Sequence, residues 1–215
     1  LGGQPVSVGR IIETDADVAE GAAWLAANDP RMAQALAQTG ALPLRRRADG
    51  FAHLLSAIIS QQVSTASAAA IWARMLEAGL VTEPAVLAAG DDGLRAVGLS
   101  RQKIAYAQAL ARADIDYTAL RHAPDAHVIA TLVAVKGIGV WTAEIYAMFS
   151  LGRADVFAPV DLALQEAARV LYDLPERPTP KQLRDMAERW TPWRSVAARC
   201  LFAYYRIAKG REGIT

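Results

Sequence analysis

The chain has 215 residues, enough for one domain or two small lobes with a sizeable core. Apolar residues make up 53% and charged residues 21%, which excludes a disordered or fibrous chain. No apolar run reaches the roughly 18 residues of a membrane span.

Net charge is +1, but it is unevenly spread. Residues 1–30 carry Arg10 against Glu13, Asp15, Asp17, Glu20 and Asp29, whereas residues 162–215 carry ten Lys and Arg against six Asp and Glu. A basic C-terminal third suits an anionic partner and a solvated helical surface equally. The single cysteine, Cys200, cannot close an internal disulfide or supply the about four thiolates of an iron–sulfur cluster. A reducing, cytosolic setting is the default. His53, His122 and His127 are too scattered to suggest a metal site. The chain starts with Leu1, and no signal peptide is read at its start.

In chain order the pattern is helical throughout: Leu and Ile recur at three and four, and no strand-like alternation persists. Residues 17–37 read as one helix interrupted at Asp29–Pro30. Residues 50–75, FAHLLSAIISQQVSTASAAAIWARM after Gly50, form a long apolar segment expected to bend. Short helices follow at 83–89 and 91–97. Ser100 is placed to cap a helix running to Ala113. Further helices are expected at 126–135, 140–149, 162–172, 180–189 and 195–209. Pro175, Pro178, Pro180 and Pro192 punctuate the C-terminal third. The expected class is all-α.

Two motifs stand out. In LVAVKGIGVWTAE, residues 132–144, Gly137 and Gly139 permit a tight turn, and the following helix begins with unpaired N–H groups and a positive dipole end. That arrangement suits a phosphate, and the turn's carbonyls could face a cation; a plain helix–turn–helix joint with Gly as C-cap is the competing reading. In GRADVFAPVDLAL, Asp161 follows Pro159 at a helix start, which fits an N-cap as well as a catalytic carboxylate. Gln61–Gln62, after an apolar run, reads either as exposed polar surface or as a polar probe against a ligand. Arg45–Arg46–Arg47 reads as a solvated turn.

Taken together, FAHLLSAIISQQVS, VGLSRQKIAYAQALA, VKGIGVWTAE, VFAPVDLAL and ERWTPWRSVAARCLF resemble, in order, the helix–hairpin–helix DNA glycosylase superfamily, most closely the 3-methyladenine DNA glycosylase II (AlkA-type) branch. The resemblance covers about residues 20–208 and implies the compact form, because only 50 residues precede FAHLL. It implies two helical lobes with a DNA-binding cleft: residues 46–158, with the hairpin, as one, and 1–45 plus 159–215 as the other. It implies Asp161 as the catalytic acid and Trp141, Phe202 and Leu162 as lining for an extruded base. Gly137, Gly139, Val140 and Trp141 would meet DNA through the hairpin. Gln62 would fill the gap left by the base, at a position where the branch carries an apolar wedge. The backbone carbonyls of Val133, Val135 and Ile138 would hold a monovalent cation, with no other cofactor. The implied activity is monofunctional hydrolytic release of alkylated bases from double-stranded DNA, by a monomer in the cytoplasm at the nucleoid. The alternatives are a non-catalytic hairpin module, a glycosylase of another branch for deaminated or oxidised bases, and a helical interaction protein.

Overall fold

The computed structural model describes residues 8–212. Their regular structure is helical, as the periodicity requires, with one isolated antiparallel bridge between Ile11 and Arg153. The helices are α1 (Asp15–Asn28), α2 (Pro30–Thr39), α3 (Phe51–Ile59), α4 (Thr65–Glu77), α5 (Glu83–Ala96), α6 (Arg101–Arg112), α7 (Tyr117–Leu120), α8 (Asp125–Val133), α9 (Val140–Phe149), α10 (Leu162–Leu171), α11 (Pro180–Ala187) and α12 (Arg194–Glu212). No helix among the described residues is long and apolar enough to cross a membrane.

Local chemistry sets the helix ends. Thr14 and Asp17 form a capping box on α1, and Ser100 accepts from the Lys103 N–H to open α6. The expected bend within 50–75 is a full break: Gln62 adopts a left-handed φ of 56°, and Ser64 starts a new helix by accepting from the Ser67 N–H. The short helices expected at 83–89 and 91–97 are both present within α5, which Gly90 (φ 58°, ψ −167°) divides with a non-helical backbone. The four-residue α7, capped by Asp116, is too short to give a periodic signal.

The chain falls into two compact units, Leu1–Arg47 with Ala147–Thr215, and Ala48–Tyr146. The sequence expectation divided the chain at 45/46 and 158/159. The chain instead passes between units at 47/48 and at 146/147, inside α9.

In the first unit α12 packs on α10, α2 and α1. Helices α1 and α12 approach closely because residue 21 is glycine: a Cβ there would lie 2.6 Å from Val196 Cγ2 and 2.7 Å from the Trp193 ring. Asp29 anchors the same unit. It ends α1 and caps α2, accepting from the N–H groups of Arg31 (2.9 Å) and Met32 (3.3 Å). Its other oxygen accepts from Tyr172 Oη (2.6 Å) and from Nε1 of the fully buried Trp190 (3.1 Å). A buried carboxylate needs such donors to offset its lost hydration.

In the second unit α3 packs against α4 and α6, and α5 against α6. Phe51, Leu54, Leu55, Ile58 and Ile59 turn the apolar stripe of α3 inward. Lys103 of α6 is buried, and Nζ donates to the carbonyl of Ile59, the last residue of α3, where the helix dipole is negative. Burial lowers the pKa of this amine. Tyr146 accepts at Oη from the Gly50 N–H (2.8 Å), which ties the end of this unit to the start of α3.

Burial disfavours ionised Asp29, but its four donors outweigh that cost and hold its pKa below the ordinary carboxylate value. A depressed folded-state pKa contributes stability that is present above the unfolded value of about 3.9 and is lost as pH falls through the folded one. Asp29→Asn is expected to lower unfolding stability at pH 7 by about 1–3 kcal/mol. The stability gap from wild type should narrow by pH 3, as read from urea midpoints at both pH values.

Candidate functional site

The hairpin lies wholly in the second unit. Helix α8 ends at Val133, and Ala134 and Val135 continue its last turn through hydrogen bonds to Ala130 and Leu132. The Ile138 N–H then donates to the Val135 carbonyl (3.0 Å) and closes the reversal. Gly137 sits at φ 99°, a region that penalises every residue with a side chain. A Cβ there would also lie 2.4 Å from the Tyr106 ring of α6. Gly137 is therefore required twice, by its backbone and by its neighbour. Gly139 differs: its φ is not left-handed, and a Cβ there would meet nothing within 4 Å. The sequence reading assigned turn strain to both glycines. The structure assigns it to Gly137 alone, and Gly139 keeps only open space in front of α9.

The Gly139 carbonyl accepts from the Ala143 N–H, so α9 starts immediately after it. The first N–H groups of a helix have no acceptor within their own helix and carry its positive dipole end. Val140 and Trp141, in that first turn, are 42% and 45% exposed. Exposed large apolar side chains beside a helix N-terminus suit a partner that brings both an anion and an apolar surface.

Gln61 and Gln62 divide the labour that the sequence left open. Gln61 Nε2 donates to the Gly137 carbonyl (2.9 Å), so it braces the hairpin. Gln62 stands exposed at the tip of the turn in its left-handed conformation. Lys103, which the sequence did not single out, secures the last carbonyl of α3 two residues before Gln61. An isolated lysine on a helix carries no local signal that it will be buried.

In the first unit, Asp161 is the N-cap of α10. Both cap bonds fall on Oδ1, from the N–H groups of Ala163 (2.9 Å) and Leu164 (3.2 Å). The loop that delivers it is held by buried Gln165, whose Nε2 donates to the Pro159 carbonyl (2.8 Å). The capping reading is thus correct as geometry. It is compatible with a reactive role, because a cap fixes the carboxylate's position. Leu162 beside it is 61% exposed.

Phe202 on α12 pairs with Phe149 at a centroid distance of 6.5 Å. Their faces are covered by arginines. Arg45 lies 5.0 Å from the Phe149 centroid and 5.1 Å from that of Phe202, and Arg47 and Arg199 lie 5.7 and 4.9 Å from Phe149. The reading of Arg45–Arg46–Arg47 as a solvated turn is therefore corrected for Arg45, which is half-buried against aromatic rings that lie far away in sequence. Arg199 is fully buried; it donates to the Leu44 carbonyl from Nε (3.1 Å) and Nη2 (2.9 Å), and from Nη1 to Ser195. Burial, and then repulsion from Arg45 and Arg46, pushes its pKa down to about 10. Its one sequence signal is an arginine set within the apolar run VAARCLF.

The structure thus gathers Gln61, Gly137, Gly139, Val140 and Trp141 in one unit, with Val133, Val135 and Ile138 in the same hairpin. It holds Asp161, Leu162 and Phe202 in the other.

A glycine turn feeding an open helix start, in a chain whose described regular structure is helical, defines a hairpin-bearing helical protein. The model of the HhH-GPD superfamily of base excision DNA repair proteins matches residues 55–192, and the chain belongs to that family. It is 30% identical over 167 residues to DNA-3-methyladenine glycosylase 1 of Schizosaccharomyces pombe, covering 74% of this chain and 73% of that one. The solved DNA-3-methyladenine glycosidase of Bacillus halodurans is similar with a TM-score of 0.80 and 33% identity, over 94% of each chain. The S. pombe 3-methyladenine DNA glycosylase solved in complex with abasic DNA is similar with a TM-score of 0.72 and 26% identity, over 88% of this chain and 97% of that one. Longer curated relatives are matched in part: the chain spans 41% of the probable bifunctional transcriptional activator/DNA repair enzyme AlkA of Mycobacterium tuberculosis.

The two glycines should separate folding from binding. Gly137→Ala is expected to cost about 1–3 kcal/mol, through strain and overlap with Tyr106. Gly139→Ala should cost at most about 1 kcal/mol, the loss of a good helix-start residue. Thermal melts read the first effect. DNA affinity of the well-folded Gly139→Ala protein reads the second, and it should fall if a phosphate approaches that backbone.

Proposed function

We propose that this chain is a monofunctional DNA glycosylase that hydrolyses the N-glycosidic bond of alkylated bases, of the 3-methyladenine and 7-methylguanine class, in double-stranded DNA. The observation that carries this reading is Asp161: a carboxylate clamped by two backbone N–H groups at the start of α10, in a chain of a base excision repair family. The names of the similar proteins support the substrate class.

A base in a duplex is out of reach, so the nucleotide must be extruded. In this reading Gln62 fills the vacated stack, and the hairpin backbone around Gly137, Gly139, Val140 and Trp141 meets a phosphate. Phe202 and Leu162, both in the first unit, are assigned to the extruded base. As the bond breaks, positive charge develops on the sugar. Asp161, already fixed by its cap, stabilises that charge and orients water toward C1′. A hairpin cation would be held by the carbonyls of Val133, Val135 and Ile138. These are neutral donors near the negative end of α8, and the Val135 oxygen keeps a second lone pair beside its bond to Ile138. Such an ion would shield the approaching phosphate. The protein acts as a monomer in this scheme.

Asp161→Asn is the direct test. Asn is as good a helix cap as Asp, so α10 should keep its start while the charge is lost. Excision of 7-methylguanine is expected to fall by roughly 1,000-fold, on the scale of a lost electrostatic stabiliser, with DNA affinity changed only slightly. Near wild-type excision by a folded variant would remove Asp161 from the mechanism.

Strand-cutting members of the superfamily attack C1′ with a lysine placed just before the residue that matches Thr142. Here that residue is Trp141, and indole offers no amine. Borohydride added during turnover should therefore trap no enzyme–DNA adduct. An adduct lost on changing Lys136 would show a lysine nucleophile instead.

A further inference from the structure

Arg45 is held against several penalties at once. It is not glycine, yet its φ is 51°. Its guanidinium is half-buried, and burial followed by repulsion from Arg47 and Arg206 lowers its pKa; attraction to the Asp161 carboxylate opposes the shift. Arg199, a further like charge, is shifted down by Arg45 in turn. Stacking on Phe149 and Phe202 recovers part of this cost. Among the described residues its guanidinium makes no hydrogen bond and no ion pair, so its planar set of N–H donors is unspent on the face of the Phe202 ring.

The chemistry of the leaving base gives that charge a use. When the C1′–N bond breaks, its electron pair stays with the base. A base that starts as a cation, such as 7-methylguanine, leaves neutral and needs no assistance. A neutral base, such as hypoxanthine, leaves with negative charge and is a poor leaving group until a donor or cation meets it. Water supplies the oxygen to C1′ and releases a proton to solvent, and the departed anion takes up a proton from solvent.

We propose that Arg45 is a specificity-determining residue: its guanidinium, held on the Phe202 ring, donates to the departing base and favours release of neutral bases over cationic ones. The inference rests on the glycosylase reading above and extends it to a residue that neither the family resemblance nor the hairpin points to. It also changes the role of Phe202. One face of that ring already carries a cation, so an incoming cationic base meets repulsion there as well as the aromatic surface.

The experiment measures single-turnover release of hypoxanthine and of 7-methylguanine from otherwise identical duplexes by wild type, Arg45→Met and Arg45→Lys. Arg45→Met should lower the hypoxanthine-to-7-methylguanine rate ratio by roughly 100-fold, the scale of one removed electrostatic donor. Arg45→Lys should restore most of the ratio, because it returns the charge. Arg45→Gln replaces Arg45→Met if melting shows that the latter is unfolded. A ratio unchanged in a folded, uncharged variant overturns the proposal. So does a wild type that releases 7-methylguanine but no hypoxanthine, and either result leaves the glycosylase reading standing. Release of neither base by wild type would instead remove that reading.

Discussion

The hairpin depends on one steric fact: the Tyr106 ring occupies the space where a side chain at residue 137 would begin. Gly137 can therefore turn left-handed and lie flat against α6, and its carbonyl is left where Gln61 can reach it. That hydrogen bond couples the hairpin to the turn that carries Gln62. A second tie, from Lys103 to Ile59, holds the other side of the same turn. Two segments separated by about 75 residues are thereby made one rigid surface, and both take part in the proposed DNA contact.

The first unit solves a different problem, that of placing polar groups among apolar helices. Asp29 and Arg199 are both buried; Asp29 is saturated by four donors, and Arg199 makes four hydrogen bonds to carbonyls and a hydroxyl. Buried hydrogen bonds of this kind favour one packing, because another arrangement leaves buried donors and acceptors unmet. Arg199 fixes the segment around Leu44, and that segment delivers Arg45 to the Phe149 and Phe202 rings. Asp161 belongs to the same economy of means. Its cap bonds order α10 and immobilise the carboxylate, which is what the proposed electrostatic role requires.

Much of this was legible in the sequence because it depends on local signals. Helix periodicity, the capping Ser100, the break at Asp29–Pro30 and the glycine turn at 137–139 are all written within a few neighbouring residues. Asp161 was legible as a helix-start carboxylate for the same reason. The family followed from five such segments in order. The kink of α5 at Gly90 was anticipated as a boundary, since a glycine among helix formers weakens the helix where it falls.

What the tertiary structure alone decided are the partners. Periodicity does not tell that Gly137 faces Tyr106 while Gly139 faces open space, although both glycines look alike in the sequence. Nor does an arginine triplet reveal that its first member leaves solvent for two phenyl rings more than 100 residues away. Gln61 and Lys103 acquired their roles from backbone carbonyls, which every residue possesses and which no sequence pattern marks. The sequence by itself determined where helices begin, turn and end, because those choices rest on short-range sterics and capping. Only the folded chain decided which polar groups are consumed by the scaffold and which remain for a ligand, because that depends on contacts between segments distant along the chain.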